Sequence, residues 1–171
     1  TIPGKAEFYE TLRYFQHRIA ETKVNLCLNT KVDAERLSTG FDSVILATGV
    51  SPRELNLPGI NHPMVLSYLD LLKHKKPVGK RVALIGAGGI GFDVAEFLTH
   101  EHTDADPVDA YLEEWGVDRR MHDRGGLKEA ETLVPSREVY LCQRKAGKLG
   151  AGLGKTTGWI HRAALKKRGV N

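Results

Sequence analysis

The spacing of apolar residues in the first third of the chain predicts one helix followed by two strands. Apolar residues recur every three or four positions, which marks one face of a helix over about residues 4–22. They are Phe8, Leu12, Phe15 and Ile19. Residues 24–32 then alternate between apolar and polar, as a half-exposed strand does. The continuous apolar run at 43–49 predicts a strand covered on both faces of a parallel sheet.

The second half of the chain predicts two strand–helix units separated by an insertion. The first unit is an apolar strand, 82–85, which leads through a glycine-rich turn into an apolar helix. The second is a strand at 139–143, which leads through another glycine-rich loop into a helix over 158–168. Between them lies the insertion, 99–137, in which 107–116 predicts one helix. This order of elements is typical of a parallel sheet with crossover helices.

Composition indicates a globular protein, and the distribution of charge indicates a region that binds anions. Hydrophobic residues make up 41% of the chain, and no apolar run approaches the roughly 20 residues of a membrane span. We therefore expect a cytoplasmic protein with no membrane partner. The net charge is +4, but residues 139–171 contain eight Lys or Arg and no Asp or Glu. Such a basic tract favours a partner that carries phosphate.

Cysteine and histidine usage indicates neither a disulfide nor a metal site. Cys27 and Cys142 lie far apart in apolar runs, which predicts buried thiols. His100 and His102 lie close together, but no Cys or HExxH pattern accompanies them. We therefore expect no metal ligand in this chain.

The glycine-rich turn after strand 82–85 is the strongest candidate site. Gly86, Gly88 and Gly91 form a G-x-G-x-x-G motif between a strand and a helix. The first glycine permits a tight turn, the second lets the backbone approach a pyrophosphate, and the third lets the helix pack on the strand. Free N–H groups at the helix N-terminus then face the negative charge. The motif predicts a dinucleotide at Gly86, Gly88, Gly89, Ile90 and Gly91, the alternative being tight packing without a ligand.

The residues after the second strand indicate which dinucleotide binds. An acidic residue at this strand end would bind the ribose hydroxyls of NAD, whereas basic residues would bind the 2′-phosphate of NADP. This acidic residue usually lies about 20 residues beyond the last glycine, where this chain has Asp109. Asp109 lies within the insertion, however, and so does not mark the end of the second strand. The strand itself is followed by Arg144, Lys145 and Lys148. These cations favour NADP(H), the alternative being a solvated turn.

Two other phosphate-binding functions fit the basic tract less well. Gly154, Lys155 and Thr156 match the end of a P-loop, but Leu149 stands where that motif requires its first glycine. A nucleic-acid-binding helix would be expected to interleave aromatic residues with its cations, and only Trp159 lies there. We therefore expect a small-molecule nucleotide, and no nucleic acid, as the partner.

The apolar run at 43–49 resembles a strand of flavoproteins that have two dinucleotide-binding domains. The string ILATGVSPR ends an apolar strand in Ala47, Thr48 and Gly49, and in those flavoproteins the following turn lies against FAD. The string NTKV, which ends at Val32, is similar to the strand end whose backbone meets the FAD adenine. The resemblance therefore implies a partial FAD site at these four residues.

Longer strings resemble the bacterial NADPH-dependent 2,4-dienoyl-CoA reductases of the old-yellow-enzyme-like iron–sulfur flavoprotein family. GKRVALIGAGGIGFDVAEFLT and QRKAGKLGAGLGKTTGWIHR carry the resemblance, which covers essentially the whole chain. It implies an intact enzyme in which hydride passes from NADPH to FAD and electrons pass through a 4Fe-4S cluster to FMN. A 2,4-dienoyl-CoA is then reduced in a TIM barrel, as part of unsaturated fatty acid β-oxidation. The alternative is the nucleotide-binding or structural domain of another such flavoprotein, similar to trimethylamine dehydrogenase.

The motifs and the resemblance together predict an α/β protein with a three-layer Rossmann-like dinucleotide-binding fold, truncated at both ends. Residues 1–55 are expected to be part of an FAD-binding domain, and residues 78–171 an NADPH-binding domain that contains the insertion. Residues 56–77 are expected to be a linker and a short helix, because Ser67 and Asp70 have capping-box spacing. The sequence lacks the barrel and its catalytic acids, so we expect no catalytic residue, and we expect the remaining domains of the same polypeptide as partners.

Overall fold

The computed structural model describes most of the chain, namely residues 2–100, 107–130 and 133–171. They fall into two compact units, one of which is Glu7–Val65 and the other residues 2–6 with Leu66–Asn171. The elements are α1 (Phe8–Glu21), α2 (Ala34–Leu37), α3 (Tyr68–Leu72), β1 (Arg81–Ile85), α4 (Gly89–Thr99), α5 (Pro107–Trp115), a 3-10 turn (Arg124–Gly126), β2 (Glu138–Cys142) and α6 (Gly158–Lys167).

The five helices predicted from the sequence are confirmed, as are the strands on either side of the insertion. Helix α1 begins at Phe8 rather than near residue 4, because Gly4 has a positive φ of 72°. Helix α2 was not predicted. The Asp33 side chain accepts a hydrogen bond from the Arg36 N–H at 2.9 Å and caps its first turn.

The two strands pair in parallel, as the predicted order of strand, helix and strand requires. The register runs from Arg81 opposite Glu138 to Ile85 opposite Cys142. Helix α4 follows β1 directly and packs on both strands. The two strands therefore end side by side, and the turns that follow them begin as neighbours.

The free edge of β2 pairs with the end of the chain. The Asn171 N–H donates to the Val139 carbonyl at 2.9 Å, and the Asn171 carbonyl accepts from the Leu141 N–H at 2.7 Å. These two bonds are those of a parallel bridge. Asn171 is therefore held beside β2 of the two-stranded sheet, after α6.

The core lies where α4 meets the sheet, α3 and α6. Leu98 of α4 and Val139 of β2 are 1% and 0% exposed. The other buried apolar residues are Leu71, Phe92, Val94, Ala95, Leu141 and Leu165. Every one of them comes from β2, α3, α4 or α6, and the half-buried Val82 and Leu84 of β1 pack against them. This small core therefore holds the two strands relative to each other.

Helix α3 begins with the capping box that the sequence predicts. The Ser67 hydroxyl accepts from the Asp70 N–H at 3.1 Å, and the Asp70 carboxylate accepts from the Ser67 N–H at 2.9 Å. Hydrogen bonds to that carboxylate, first from Lys76 and then from Ser67, hold the pKa of Asp70 well below its usual range. The capped helix places Leu71 in the core.

The insertion helix α5 is held to α6 by a buried ion pair. Arg168 Nη2 donates to the two carboxylate oxygens of Glu114 at 2.8 and 3.0 Å, and the Arg168 side chain is 7% exposed. Lys167 Nζ lies 5.4 Å from the centre of the Trp115 ring. These contacts fasten the insertion to the rest of the unit that contains Leu66–Asn171. His102, which the sequence places close to His100, lies outside the described residues.

Neither strand predicted for the unit Glu7–Val65 forms. Residues 24–32 and 43–49 have no ladder partner, and no residue of this unit is buried. Ile45 and Leu46 are 90% and 80% exposed. The prediction was wrong because an apolar run becomes a strand only beside a neighbouring strand, and the structure gives these runs none.

Cys27 and Cys142, predicted as buried, are both exposed free thiols. Cys27 lies in the unpaired segment that was expected to be a strand. Cys142 ends β2, where no layer of the described structure covers it. Among the described residues, no helix is long and apolar enough to cross a membrane.

Candidate functional site

The glycine turn connects the end of β1 to the start of α4, and its first and last glycines are packed closely together. Gly86 has a φ of 122°, which glycine adopts without strain, and its N–H donates to the Cys142 carbonyl at 2.8 Å. A Cβ added to Gly91 would lie 1.9 Å from the Gly86 carbonyl oxygen. The first and third glycines of the motif are thus required by the fold itself.

Gly88 is different, because the fold does not explain it. Its φ of −87° and ψ of −173° are ordinary for any residue. A Cβ built there would meet no atom within 4 Å, and the same holds for Gly89. The space beside these two residues is open, as a cradle for a closely approaching ligand must be.

The N-terminus of α4 offers backbone donors to this space. No side chain caps the helix at Gly88, and the first i to i−4 bond of α4 is from the Phe92 N–H to the Gly88 carbonyl at 3.1 Å. The N–H groups of Gly89, Ile90 and Gly91 precede that bond and have no carbonyl one turn earlier in the helix. Such groups attract an anion, and the helix dipole adds to the attraction.

The second turn carries the three predicted cations. Arg144, Lys145 and Lys148 are exposed, and no carboxylate within the described ranges forms an ion pair with them. The Gly86 N–H is hydrogen-bonded to the Cys142 carbonyl, and Arg144 follows two residues after Cys142. The cationic turn, residues 144–148, therefore begins beside the glycine turn. The structure therefore brings the two predicted groups to the same edge of the sheet.

The loop beyond these cations packs against the first turn of α4. A Cβ on Gly150 would lie 2.7 Å from Phe92 Cζ, and Phe92 is 3% exposed. Arg162 Nη1 of α6 donates to the Gly150 carbonyl at 3.3 Å. The glycine-rich loop and the glycine turn are thus parts of one packed arrangement.

Sequence reasoning missed the side chains that support the two turns. Gln143 donates from Nε2 to the carbonyls of Lys145, at 2.8 Å, and Gly147, at 3.0 Å. Phe92 fills the space under Gly150. The place of Gln143, directly after an apolar strand and before a cationic turn, was the available signal.

The carboxyl groups whose pKa is shifted lie outside the two turns. Burial raises the pKa of Glu96, on the third turn of α4. A hydrogen bond from Tyr140 lowers the pKa of Glu138, at the opposite end of β2. Positive charge therefore dominates where the two strands end.

The residues predicted to contact FAD are not assembled into a site. Val32, Ala47, Thr48 and Gly49 are all exposed and lie outside regular structure. Within the described residues none of them makes a hydrogen bond. Gly49 has a φ of 76°, so a glycine is needed there. Their role as FAD contacts therefore stays a prediction from the sequence.

Comparison with known protein families agrees with a dinucleotide site. Residues 10–171 match the family described as pyridine nucleotide-disulphide oxidoreductase. The chain belongs to this family. Its members generally bind FAD and NAD(P), and the dinucleotide-binding domain is Rossmann-like. The α/β fold and the class of ligand predicted from the glycine motif are thereby confirmed at the level of the family.

Individual relatives are reductases that are much longer than this chain. A cinnamate reductase of Clostridium sporogenes is 33% identical over 53% of this chain and 13% of its own length. A bilirubin reductase of Mediterraneibacter gnavus is 34% identical over 56% of this chain and 15% of its own. A metal reductase of Desulforamulus reducens is 23% identical over 99% of this chain and 25% of its own. The chain thus spans a quarter or less of these relatives.

Proposed function

We propose that this chain is the NADPH-binding portion of a flavin-dependent reductase. The observation that carries the proposal is the pair of neighbouring turns at the ends of β1 and β2. One turn offers open space beside Gly88 and backbone donors from α4. The other offers three unpaired cations within the described structure. A dinucleotide with an extra phosphate on its ribose matches both turns at once.

Each group has a role that follows from its chemistry. Gly86 and Gly91 hold the turn, and Gly88, Gly89 and Ile90 bring backbone N–H groups to the pyrophosphate. Arg144, Lys145 and Lys148 bind the 2′-phosphate through charge-assisted hydrogen bonds. When bound, NADPH supplies a hydride, and FAD is the acceptor that we propose for it. None of these residues carries out acid–base chemistry.

The specific activity that we propose is that of a 2,4-dienoyl-CoA reductase in β-oxidation. Cinnamate, the compound in one relative's name, has a carbon–carbon double bond conjugated to a carboxyl group, and a dienoyl thioester has a similar conjugated bond. The proposal includes a cytoplasmic polypeptide whose other domains carry FMN, a 4Fe-4S cluster and the rest of the FAD site. It also includes a completed three-layer fold and partial FAD contacts at Val32 and Ala47, Thr48 and Gly49.

The alternative is a structural domain of a similar flavoprotein, related to trimethylamine dehydrogenase, that has lost its nucleotide. The open space beside Gly88 argues against it, because a domain without a ligand has no use for glycine there. Binding of neither NADP⁺ nor NAD⁺ by the intact protein would favour this alternative.

The test is calorimetric titration of the intact protein with NADP⁺ and NAD⁺. We expect Arg144→Ala with Lys145→Ala to weaken NADP⁺ by at least about tenfold, because each charge-assisted bond contributes about 1.5 to 3 kcal/mol. NAD⁺ lacks the phosphate, so its affinity should stay nearly unchanged. The matched control is Lys73→Ala with Lys166→Ala, which removes two exposed positive charges, one directly after α3 and one in α6, and should alter neither affinity.

Equal losses for both nucleotides would mean that the cation pair supports the fold or binds the pyrophosphate. In that case the assignment of NADP would be withdrawn. A loss in the control variant as large as in the test variant would mean that net charge alone governs binding.

A further inference from the structure

We infer that Gln143 is a positioning residue for cofactor choice: it holds the cationic turn, residues 144–148, in the shape that binds the 2′-phosphate. This inference rests on the proposed function, because it concerns the same turn. Gln143 does not itself contact the nucleotide. It acts through Arg144 and Lys145, whose backbone it fixes.

The Gln143 side chain is hydrogen-bonded to two carbonyl groups of the turn that follows it. Gln143 Nε2 donates to the Lys145 carbonyl at 2.8 Å and to the Gly147 carbonyl at 3.0 Å. Both partners are carbonyl oxygens, so the donor in this position is the amide nitrogen. The amide has two N–H groups, and the two carbonyls use both. No other side chain among the described residues bonds to the backbone of residues 144–148.

The turn depends on these side-chain hydrogen bonds because its own backbone forms none. Residues 144–148 lie outside helix and strand, and no backbone–backbone hydrogen bond closes them. Gly147 has a φ of 103°, a conformation that glycine allows but does not enforce. Without Gln143 the turn would sample many shapes, and binding the phosphate would have to order it again.

The chemistry of the amide is specific to this task. A carboxylate in the same place would present acceptors to acceptors, and its charge would repel the phosphate. An aliphatic side chain would fill the space without donating. Gln143 is half-buried and its amide N–H groups are directed at the Lys145 and Gly147 carbonyls, whereas the cations are exposed. Its side chain therefore serves the turn rather than the ligand.

The test variant is Gln143→Met, which keeps the length of the side chain, adds no charge and cannot donate. In the intact protein we expect NADP⁺ to bind about fivefold more weakly, a loss of about 1 kcal/mol, because binding must order the turn again. NAD⁺ affinity should change by less than about twofold. A thermal melt should match that of the unaltered protein, because the turn contributes no core residue. Loss of affinity for both nucleotides, or for neither, would overturn the inference.

A thermodynamic cycle separates positioning from an independent effect. If Gln143 acts through the cations, adding Gln143→Met to Arg144→Ala with Lys145→Ala should cause no further loss of NADP⁺ affinity. Fully additive losses would overturn the inference. Backbone order parameters of residues 144–148 provide a readout without nucleotide, and they should fall in Gln143→Met. Unchanged order parameters would also overturn it.

The same cycle tells failure of this inference from failure of the proposed function. If Arg144→Ala with Lys145→Ala discriminates between the nucleotides but Gln143→Met does not, only the role of Gln143 is wrong. If the cation variant itself shows no discrimination, the NADP assignment fails, and the inference fails with it.

Discussion

The two glycines Gly88 and Gly91 provide a matched pair in which one substitution should harm ligand binding and the other the fold. Both belong to the same motif and lie three positions apart. A Cβ on Gly91 would lie 1.9 Å from a backbone oxygen, whereas a Cβ on Gly88 would meet no protein atom within 4 Å. Alanine at each position adds the same atom to two different surroundings.

For Gly91→Ala two effects oppose each other. Alanine favours a helix over glycine by about 1 kcal/mol. Overpacking costs about 1 to 3 kcal/mol, and the upper end applies because the obstacle is backbone, which cannot rotate away. The net expectation is a destabilisation of about 2 kcal/mol. For a chain of this length that lowers Tm by about 4 to 8 °C.

For Gly88→Ala the unfolding free energy should change by less than about 1 kcal/mol, since the backbone conformation is compatible with alanine. The added methyl group instead occupies the space that we assign to the pyrophosphate. We expect at least about a tenfold loss of affinity for NADP⁺ and NAD⁺ alike, which is about 1.4 kcal/mol. The two nucleotides share the pyrophosphate, so their losses should be similar.

The assays are thermal melts followed by circular dichroism and nucleotide titration by calorimetry. If Gly88→Ala lowered Tm as much as Gly91→Ala, a glycine at position 88 would be required for folding, and the space beside it could not be assigned to a ligand. Unchanged nucleotide affinity in a stable Gly88→Ala protein would also refute that assignment. A Gly91→Ala protein as stable as the unaltered one would contradict the close contact with Gly86.

The remaining predictions concern stability and are measured by urea denaturation. Glu114→Ala should cost about 3 kcal/mol, because it leaves Arg168 buried without a carboxylate, whereas Glu113→Ala breaks an exposed pair with Lys128 and should cost at most about 1 kcal/mol. Equal costs would contradict the burial of the Arg168 pair. The lowered pKa of Asp70 stabilises the fold above the ordinary carboxyl pKa of 3.8, and this contribution is lost as pH falls towards the lower folded pKa. Between about pH 5 and pH 2 the unaltered protein should therefore lose more stability than Asp70→Asn, and parallel losses would contradict the assignment.

The parts of the fold that the sequence predicted correctly are those with local signals. The strand, glycine turn and helix around Gly86 are specified by consecutive residues, and so is the capping box at Ser67. Helix α2 also had a local signal in Asp33, which caps it, but its four residues are too few to show apolar periodicity.

The parts that were predicted wrongly or missed depend on contacts that no local sequence pattern specifies. Residues 43–49 have the composition of a buried strand, yet strand formation requires hydrogen bonds from another strand. The hydrogen bonds from Gln143 to the Lys145 and Gly147 carbonyls depend on the shape of a turn that no motif describes. The pairing of Glu114 with Arg168 joins residues 54 positions apart. Such contacts follow from the folded arrangement, and single-sequence patterns do not encode them.

The most direct test of the central claim is an NMR titration of the ¹⁵N-labelled chain with NADP⁺ and, separately, NAD⁺. The claim is that the glycine turn binds the pyrophosphate and that the cationic turn binds the 2′-phosphate. Both nucleotides should shift the amide resonances of Gly88, Gly89, Ile90 and Gly91. Only NADP⁺ should produce additional large shifts at residues 144–148. Shifts confined to other parts of the chain, or the same shifts at 144–148 with both nucleotides, would contradict the account.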